Sequence, residues 1–267
     1  MTGALKYEWM RIRTIASSYW MAGMAIFLTS AITFLLAVTV DGNDIDDLGL
    51  REVTTFIVLA GASIPVIPVM AAPFFAVIGA MSVGHEYRYG TNKATLTANP
   101  DRVALLTAKL LVLLLWVVAT VVAMLLLNFA ITWLFVSDPE FGGHMVRPLL
   151  NYIGYCCAFA TAGFGLAALL RNQTGAIVGV LVYPLVAEPV LYGIMAAVGD
   201  ATSEGFGRLS NFLPAAAGRR SMFDPYEIFD GFGTIDTWGV GASVLTFWIG
   251  VLITLAAGVT SFLKRDA

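Results

Sequence analysis

Glu188 is the residue whose position most demands a chemical explanation. It lies near the middle of an apolar run, four residues after Pro184 and directly before Pro189. An ionisable side chain at mid-membrane is costly and is by default a candidate functional group. Three roles fit it: a hydrogen-bonded lock between helices, a lining residue that meets a cationic or polar substrate, or a proton-coupling group. Pro189 cannot donate to the carbonyl of Leu185, so that carbonyl needs a polar partner. Tyr183, five residues upstream, reads as a packing or interfacial residue that could also border a substrate path. Asn128 is the lone polar residue of another long apolar run and reads as an inter-helix hydrogen-bonding group.

Other chemistry is missing. The sequence has no G-x-x-x-x-G-K-[ST] phosphate loop and no H-E-x-x-H. Its two histidines, His85 and His144, have no plausible paired ligand, so no metal site is expected. Cys156 and Cys157 are adjacent inside an apolar run and read as buried free thiols. No buried nucleophile–base pair stands out. The expectation is no catalytic residue, no cofactor in this chain and no nucleic-acid partner.

The other informative stretch is GHEYRYGTNKATLTANPDRVALLTAK, residues 84 to 109. It is a positively charged polar interruption between two long apolar runs. Gly90 permits a sharp turn. Thr91 can cap a helix of about two turns over 92 to 98, its oxygen accepting from first-turn amides. That helix must stop near Asn99, because a residue before proline avoids the α region. Asn99 is then expected as the next cap, Pro100 as the first helical residue, and Asp101 as a favourable acid near the N-terminus. A short helix clamped between two long ones is a rigid lever.

The elements around these residues follow from composition. The 267 residues are 58% hydrophobic and 12% charged, with mean hydropathy +0.82. Soluble domains carry about 25% charged residues, so the bilayer is the solvent here. The pattern predicts an all-α polytopic membrane protein of one domain with six transmembrane helices. The spans fall at about 19–40, 64–84, 107–136, 149–170, 175–198 and 238–263, with a loop at 85–106 and a re-entrant loop at 199–237. Tyr19 and Trp20 open the first span as interfacial aromatics. Pro65, Pro68 and Pro73 interrupt the second segment, so an irregular outer part and a regular inner part are expected. Residues 4–16 read as an amphipathic helix in the headgroup plane. Leu5, Trp9, Ile12 and Ala16 form its apolar face, flanked by Lys6 and Arg13 on one side and Arg11 on the other. Residues 1–18 lack an apolar core, so no cleavable signal is expected.

Six spans place both termini on one side. That side holds ten cations and four acids, a sum of +6; the opposite side sums to −8. The positive-inside bias therefore predicts cytoplasmic termini and a cytoplasmic 85–106 loop.

EYRYGT, then TL, NPDR and AKL, resembles the intracellular loop of type-2 ATP-binding-cassette exporter permeases, particularly the short bacterial kind. The interfacial helix, six spans and dipping loop before the last span are similar too. The resemblance implies that Gly90, Thr91, Lys93, Thr95, Leu96, Asn99, Pro100 and Arg102 contact a separate nucleotide-binding ATPase subunit, which carries ATP and Mg. Glu86 and Arg88 would join a polar network to the N-terminal helix, which carries Lys6, Trp9 and Arg13. It also implies a second permease chain, identical or related, membrane lipid as surroundings, and a bacterial plasma membrane. The expected function is export of an amphipathic substrate such as a drug, antimicrobial peptide or lipid. The alternatives are a stand-alone secondary transporter using Glu188, or a membrane anchor that recruits an ATPase without transporting.

Overall fold

The computed structural model describes residues 2–39, 51–61, 69–91, 94–95, 97, 101–136, 138–202, 208–222 and 238–265. Among them there is no strand. The helices are α1 (Thr2–Thr14), α2 (Ala16–Thr39), α3 (Arg51–Leu59), α4 (Ala72–Arg88), α5 (Arg102–Phe135) and α6 (Val146–Leu170). They continue with α7 (Gln173–Val182), a π-helical turn Tyr183–Ala187, α8 (Glu188–Thr202), α9 (Pro214–Arg220) and α10 (Val240–Arg265). Short 3-10 turns at Gly143–Met145 and Arg208–Phe212 precede α6 and α9.

Among the described residues, five stretches are long and apolar enough to cross a membrane: Ala16–Thr39, Arg102–Phe135, Val146–Leu170, Gln173–Gly199 and Val240–Lys264. The protein is a multi-pass, all-helical membrane protein. The segment expected to cross at 64–84 differs in its bounds. Its regular helix starts at Ala72, with Pro73 in the first turn, where a missing N–H costs nothing. It continues to Arg88, so His85, Glu86 and Arg88 are helical rather than part of a loop beginning at 85. Its 17 residues rise about 26 Å, less than the ~30 Å hydrocarbon core. Pro65, Pro68 and the acidic run Asp41, Asp44, Asp46 and Asp47 lie outside the described residues.

The bundle is built around α6. Of its most apolar stretch 67% is buried, against 17–33% for the other four long stretches, so α6 is the inner helix and the others face lipid. Apolar residues such as Leu115, Leu126, Trp133 and Ile253 remain exposed on those outer helices, as a lipid-solvated surface allows. α6 packs most closely on α4 and α10. A side chain at Gly79 would collide with the Ala160 carbonyl, and one at Gly163 with that of Ala76. These two glycines set the α4–α6 separation, because small residues let backbones approach within lipid. α2 lies on α5, where Tyr19 meets Trp116 edge-on at 5.0 Å and Phe34 meets Phe135 at 5.1 Å. α9 packs against α10.

Candidate functional site

Two buried polar centres stand out. The first joins α1, α4 and α5. Glu8, Glu86 and Lys109 are 3%, 4% and 2% exposed, values that require partners. The Lys109 ammonium donates to Glu8 Oε1 at 2.6 Å and also to Glu86 Oε1. Arg11 Nη1 donates to the same Glu86 oxygen at 3.0 Å. Arg11 Nε stands 3.3 Å from Glu8 Oε2, and its Nη2 donates to the Ser82 carbonyl. Two cations meet two carboxylates, and the group is neutral. Glu86 lies in the last turn of α4 and Lys109 two turns into α5, so both reach the junction while their backbones stay helical.

Of the apolar face expected on α1, this geometry turns Ile12 inward. The stripe turned toward the protein is Ala4, Glu8 and Ile12, while Trp9 and Ala16 are exposed. Glu8 sets the rotation: a buried carboxylate must face Lys109, so the Trp9 side turns outward. Lys6 and Arg13 are exposed. Sequence reasoning passed over Glu8 and Lys109. The available signal was Lys109 itself, a cation set within an apolar helix and therefore in need of a counter-charge.

Of the two residues expected to enter a polar network, Glu86 does so. Arg88 does not; it is exposed, with its guanidinium 5.5 Å from the centre of the Tyr89 ring. His85 sits in the same last turn, past the apolar part of α4. Burial first, then the charges of Arg11 and Arg88, hold its imidazole below the ordinary value.

Beyond α4 the chain turns at Gly90, whose φ of 66° is a left-handed value that glycine adopts without strain. The amide of Thr91 donates to the Glu86 carbonyl at 3.0 Å. The amide and hydroxyl of Thr95 both donate to the Thr91 carbonyl, at 3.0 and 3.1 Å, which closes a helical turn. Thr95 is 8% exposed and faces inward, so it is not an outward contact residue. Gly90 and Thr91 are exposed. Asp101 is the cap of α5: its carboxylate accepts from the Ala104 amide at 3.0 Å, and its ψ of 94° is extended. A carboxylate satisfies first-turn amides and suits the positive helix end, so the cap falls two residues later than expected. Arg102 is half-buried and donates from Nη1 to the Leu263 carbonyl at 3.3 Å, tying the start of α5 to the end of α10. Lys93, Leu96, Asn99 and Pro100 lie outside the described residues.

The second centre is Glu188, which is fully buried. Its Oε2 accepts from the Ala215 amide at 3.0 Å, and its Oε1 accepts from the Ala216 amide. These are first-turn amides of α9, which have no partner inside their own helix. Tyr183 also hydrogen-bonds Glu188, and the charge of Arg219 lies nearby. The preceding π-helical turn aims the carboxylate. Glu188 N donates to the Tyr183 carbonyl, one residue further back than in an α-helix. One extra residue rotates the remainder of the helix by about 100°. The prolines at 184 and 189 explain its place, since each removes an ordinary backbone donor.

α9 itself lies inside the protein. A side chain at Gly218 would meet the rings of Tyr155 and Phe247, and one at Gly250 would meet Pro214. Half-exposed Tyr183 borders an apolar cavity of about 400 Å³, together with Phe159, Leu166, Pro214, Phe247 and Val251. A neutral bridge sits elsewhere: Asn128 accepts from the Ser30 hydroxyl at 2.7 Å and donates to the Leu59 carbonyl at 2.9 Å. It joins α2, α3 and α5. Among the described residues no cluster of three or more potential metal ligands occurs, and Cys156 and Cys157 are free thiols.

Comparison with known proteins adds one finding. Residues 51–267 match a family model described as a protein of unknown function (DUF2705). The match takes in Glu86, Lys109 and Glu188, whereas Glu8 and Arg11 precede it. No curated protein matches the chain. With most of its length matched, the chain belongs to the DUF2705 family.

Proposed function

We propose that this protein is the membrane-spanning permease subunit of an ATP-binding-cassette exporter, with ATP and Mg bound by a separate nucleotide-binding subunit. The observation that carries the reading is the four-residue charge cluster. It ties α1 to both helices that flank residues 89–101, so a push there reaches α1, α4 and α5 together. Hydrogen-bonded ion pairs are short and directional, and removing one partner strands a buried charge. That makes the junction stiff, as a lever requires. The EYRYGT…NPDR motif supports the same reading.

In this reading α2, the segment ending in α4, α5, α6, α7–α8 and α10 make six crossings. Both termini and residues 89–101 face the cytoplasm of a bacterial cell, where the cations gather. Two permease chains, identical or related, enclose the path, and a dimeric ATPase closes and opens them. The mostly apolar spans suit an amphipathic substrate. Glu188 serves as a lock that holds α9 against the fifth crossing.

The test is affinity purification in mild detergent, identification of co-eluting proteins by mass spectrometry, and an ATPase assay in lipid. A stoichiometric phosphate-loop ATPase is expected. Its association should be lost in Thr91→Arg and Tyr89→Ala, which alter exposed residues of the turn, while the permease stays folded. Recovery of the chain without any ATPase in several lipids would overturn the reading.

A further inference from the structure

α7 and α10 both pack on α6 but not closely on one another. The apolar cavity of about 400 Å³ occupies the space left between them. α6 forms its floor with Phe159, Ala162 and Leu166, and α9 closes one end with Pro214 and Ala215. Two close approaches fix its walls. A side chain added at Gly179 would meet Leu166, and one at Gly250 would meet Pro214. The cavity is thus built into the packing, as small-ligand sites usually are.

Its chemistry restricts the occupant. Among the described residues no charged side chain lines it, so a charged ligand group would meet no counter-charge on its wall. The two polar side chains that do line it are already engaged. The Thr254 hydroxyl donates to the Gly250 carbonyl at 3.0 Å, and Tyr183 hydrogen-bonds Glu188. Water has little to hold it, since apolar cavities stay dry. The volume equals about one turn of a helix about 10 Å across, so a span of a second copy does not fit. The lining residues of α6, α7 and α10 belong to three of the stretches apolar enough to cross a membrane. Part-exposed Tyr183 opens the cavity onto the lipid-facing surface. A bilayer supplies one abundant group there that has no polar atoms, the acyl chain. We propose that this cavity binds a single acyl chain, taken in sideways between α7 and α10. Tyr183 and Ala215 border the chain and also bond Glu188, so an occupied cavity supports the contact that holds α9. Chain binding belongs to this subunit alone and holds whether or not an ATPase docks.

The experiment is photolabelling of the purified full chain in detergent. The probe is a long-chain monoacylglycerol with a mid-chain diazirine, and the labelled residues are read by mass spectrometry. Crosslinks in 159–166, 179–184 and 247–254 should saturate as the probe rises. They should exceed those on the exposed face of α5 on the order of tenfold, because many small packing contacts add up. Unlabelled long-chain monoacylglycerol should compete at the cavity and not at α5. Ala162→Phe fills the space and should remove cavity labelling, with α5 labelling and elution unchanged; Val251→Phe serves the same end where Ala162→Phe fails to fold. Leu252→Phe, at an exposed position of α10 beside Val251, should change nothing. Labelling that never saturates and equals that of α5 would make the chain ordinary surrounding lipid and overturn the proposal. So would unchanged cavity labelling in a folded filling variant. Loss of that labelling when the chain dimerises would also overturn it, by giving the gap to a second copy.

Discussion

The two buried charged centres solve one problem in opposite ways. At the α1–α4–α5 junction, carboxylates are neutralised by side chains: Lys109 and Arg11 reach Glu8 and Glu86. At Glu188 the carboxylate is met chiefly by backbone, the amides of Ala215 and Ala216. The first arrangement depends on four long side chains staying together, and breaking any one leaves an uncompensated charge. The second depends on where the main chain of α9 lies, and it fixes a segment rather than a set of side chains. The junction is therefore a mechanical link between helices, and Glu188 a latch on a buried segment.

The largest expected effect comes from removing the cation that the junction shares. Lys109→Met leaves Glu8 and Glu86 buried together and should cost about 3–5 kcal/mol, read as a shift in chemical unfolding in detergent. Adding Glu8→Gln to Lys109→Met, which leaves Arg11 and Glu86 as a balanced pair, should recover much of that loss. If the single variant were as stable as the parent, the junction would not be a link.

Glu188→Ala comes next, at about 2–4 kcal/mol, because two buried amides lose their acceptor. Glu188→Gln keeps one oxygen acceptor and should lose roughly half as much. Hydrogen exchange separates the two centres: the amides of Ala215 and Ala216 should lose protection in the Glu188 variants and keep it in Lys109→Met. Loss in both would make the two regions one cooperative unit.

Asn128→Leu offers a neutral control. It removes bonds to Ser30 and Leu59. The cost should be about 1 kcal/mol, since neutral inter-helix hydrogen bonds in membranes are modest. The smallest effect concerns His85. Its folded-state affinity for a proton lies below the ordinary value, so protonation favours the unfolded chain. The stability it protects is present above the ordinary value of 6.5 and fades as pH falls below it. His85→Gln should flatten that decline in a pH series of unfolding midpoints and leave the Glu188 region unchanged.

The sequence carried the long apolar helices, the Gly90 turn and the need for a partner at Glu188, because each follows from one residue type in its local setting. Hydropathy alone requires the stretches at 102–135 and 146–170 to be helical, since an unpaired backbone cannot face lipid. A left-handed turn calls for glycine, and a buried carboxylate calls for donors. The identity of those donors was not legible. Ala215 and Ala216 lie 27 and 28 residues from Glu188, and nothing in an alanine pair announces a role as donor. The π-helical turn that aims Glu188 depends on how two prolines are accommodated in a packed helix. The inward face of α1 was not legible for a related reason. Its apolar residues define a plausible lipid face, but the choice of face rests on Lys109, 101 residues away from Glu8. Local chemistry specified which groups had to be satisfied; only the packing of α1, α4, α5 and α9 decided what satisfies them, because desolvation sets the demand within one residue while the partner is supplied by a distant part of the chain.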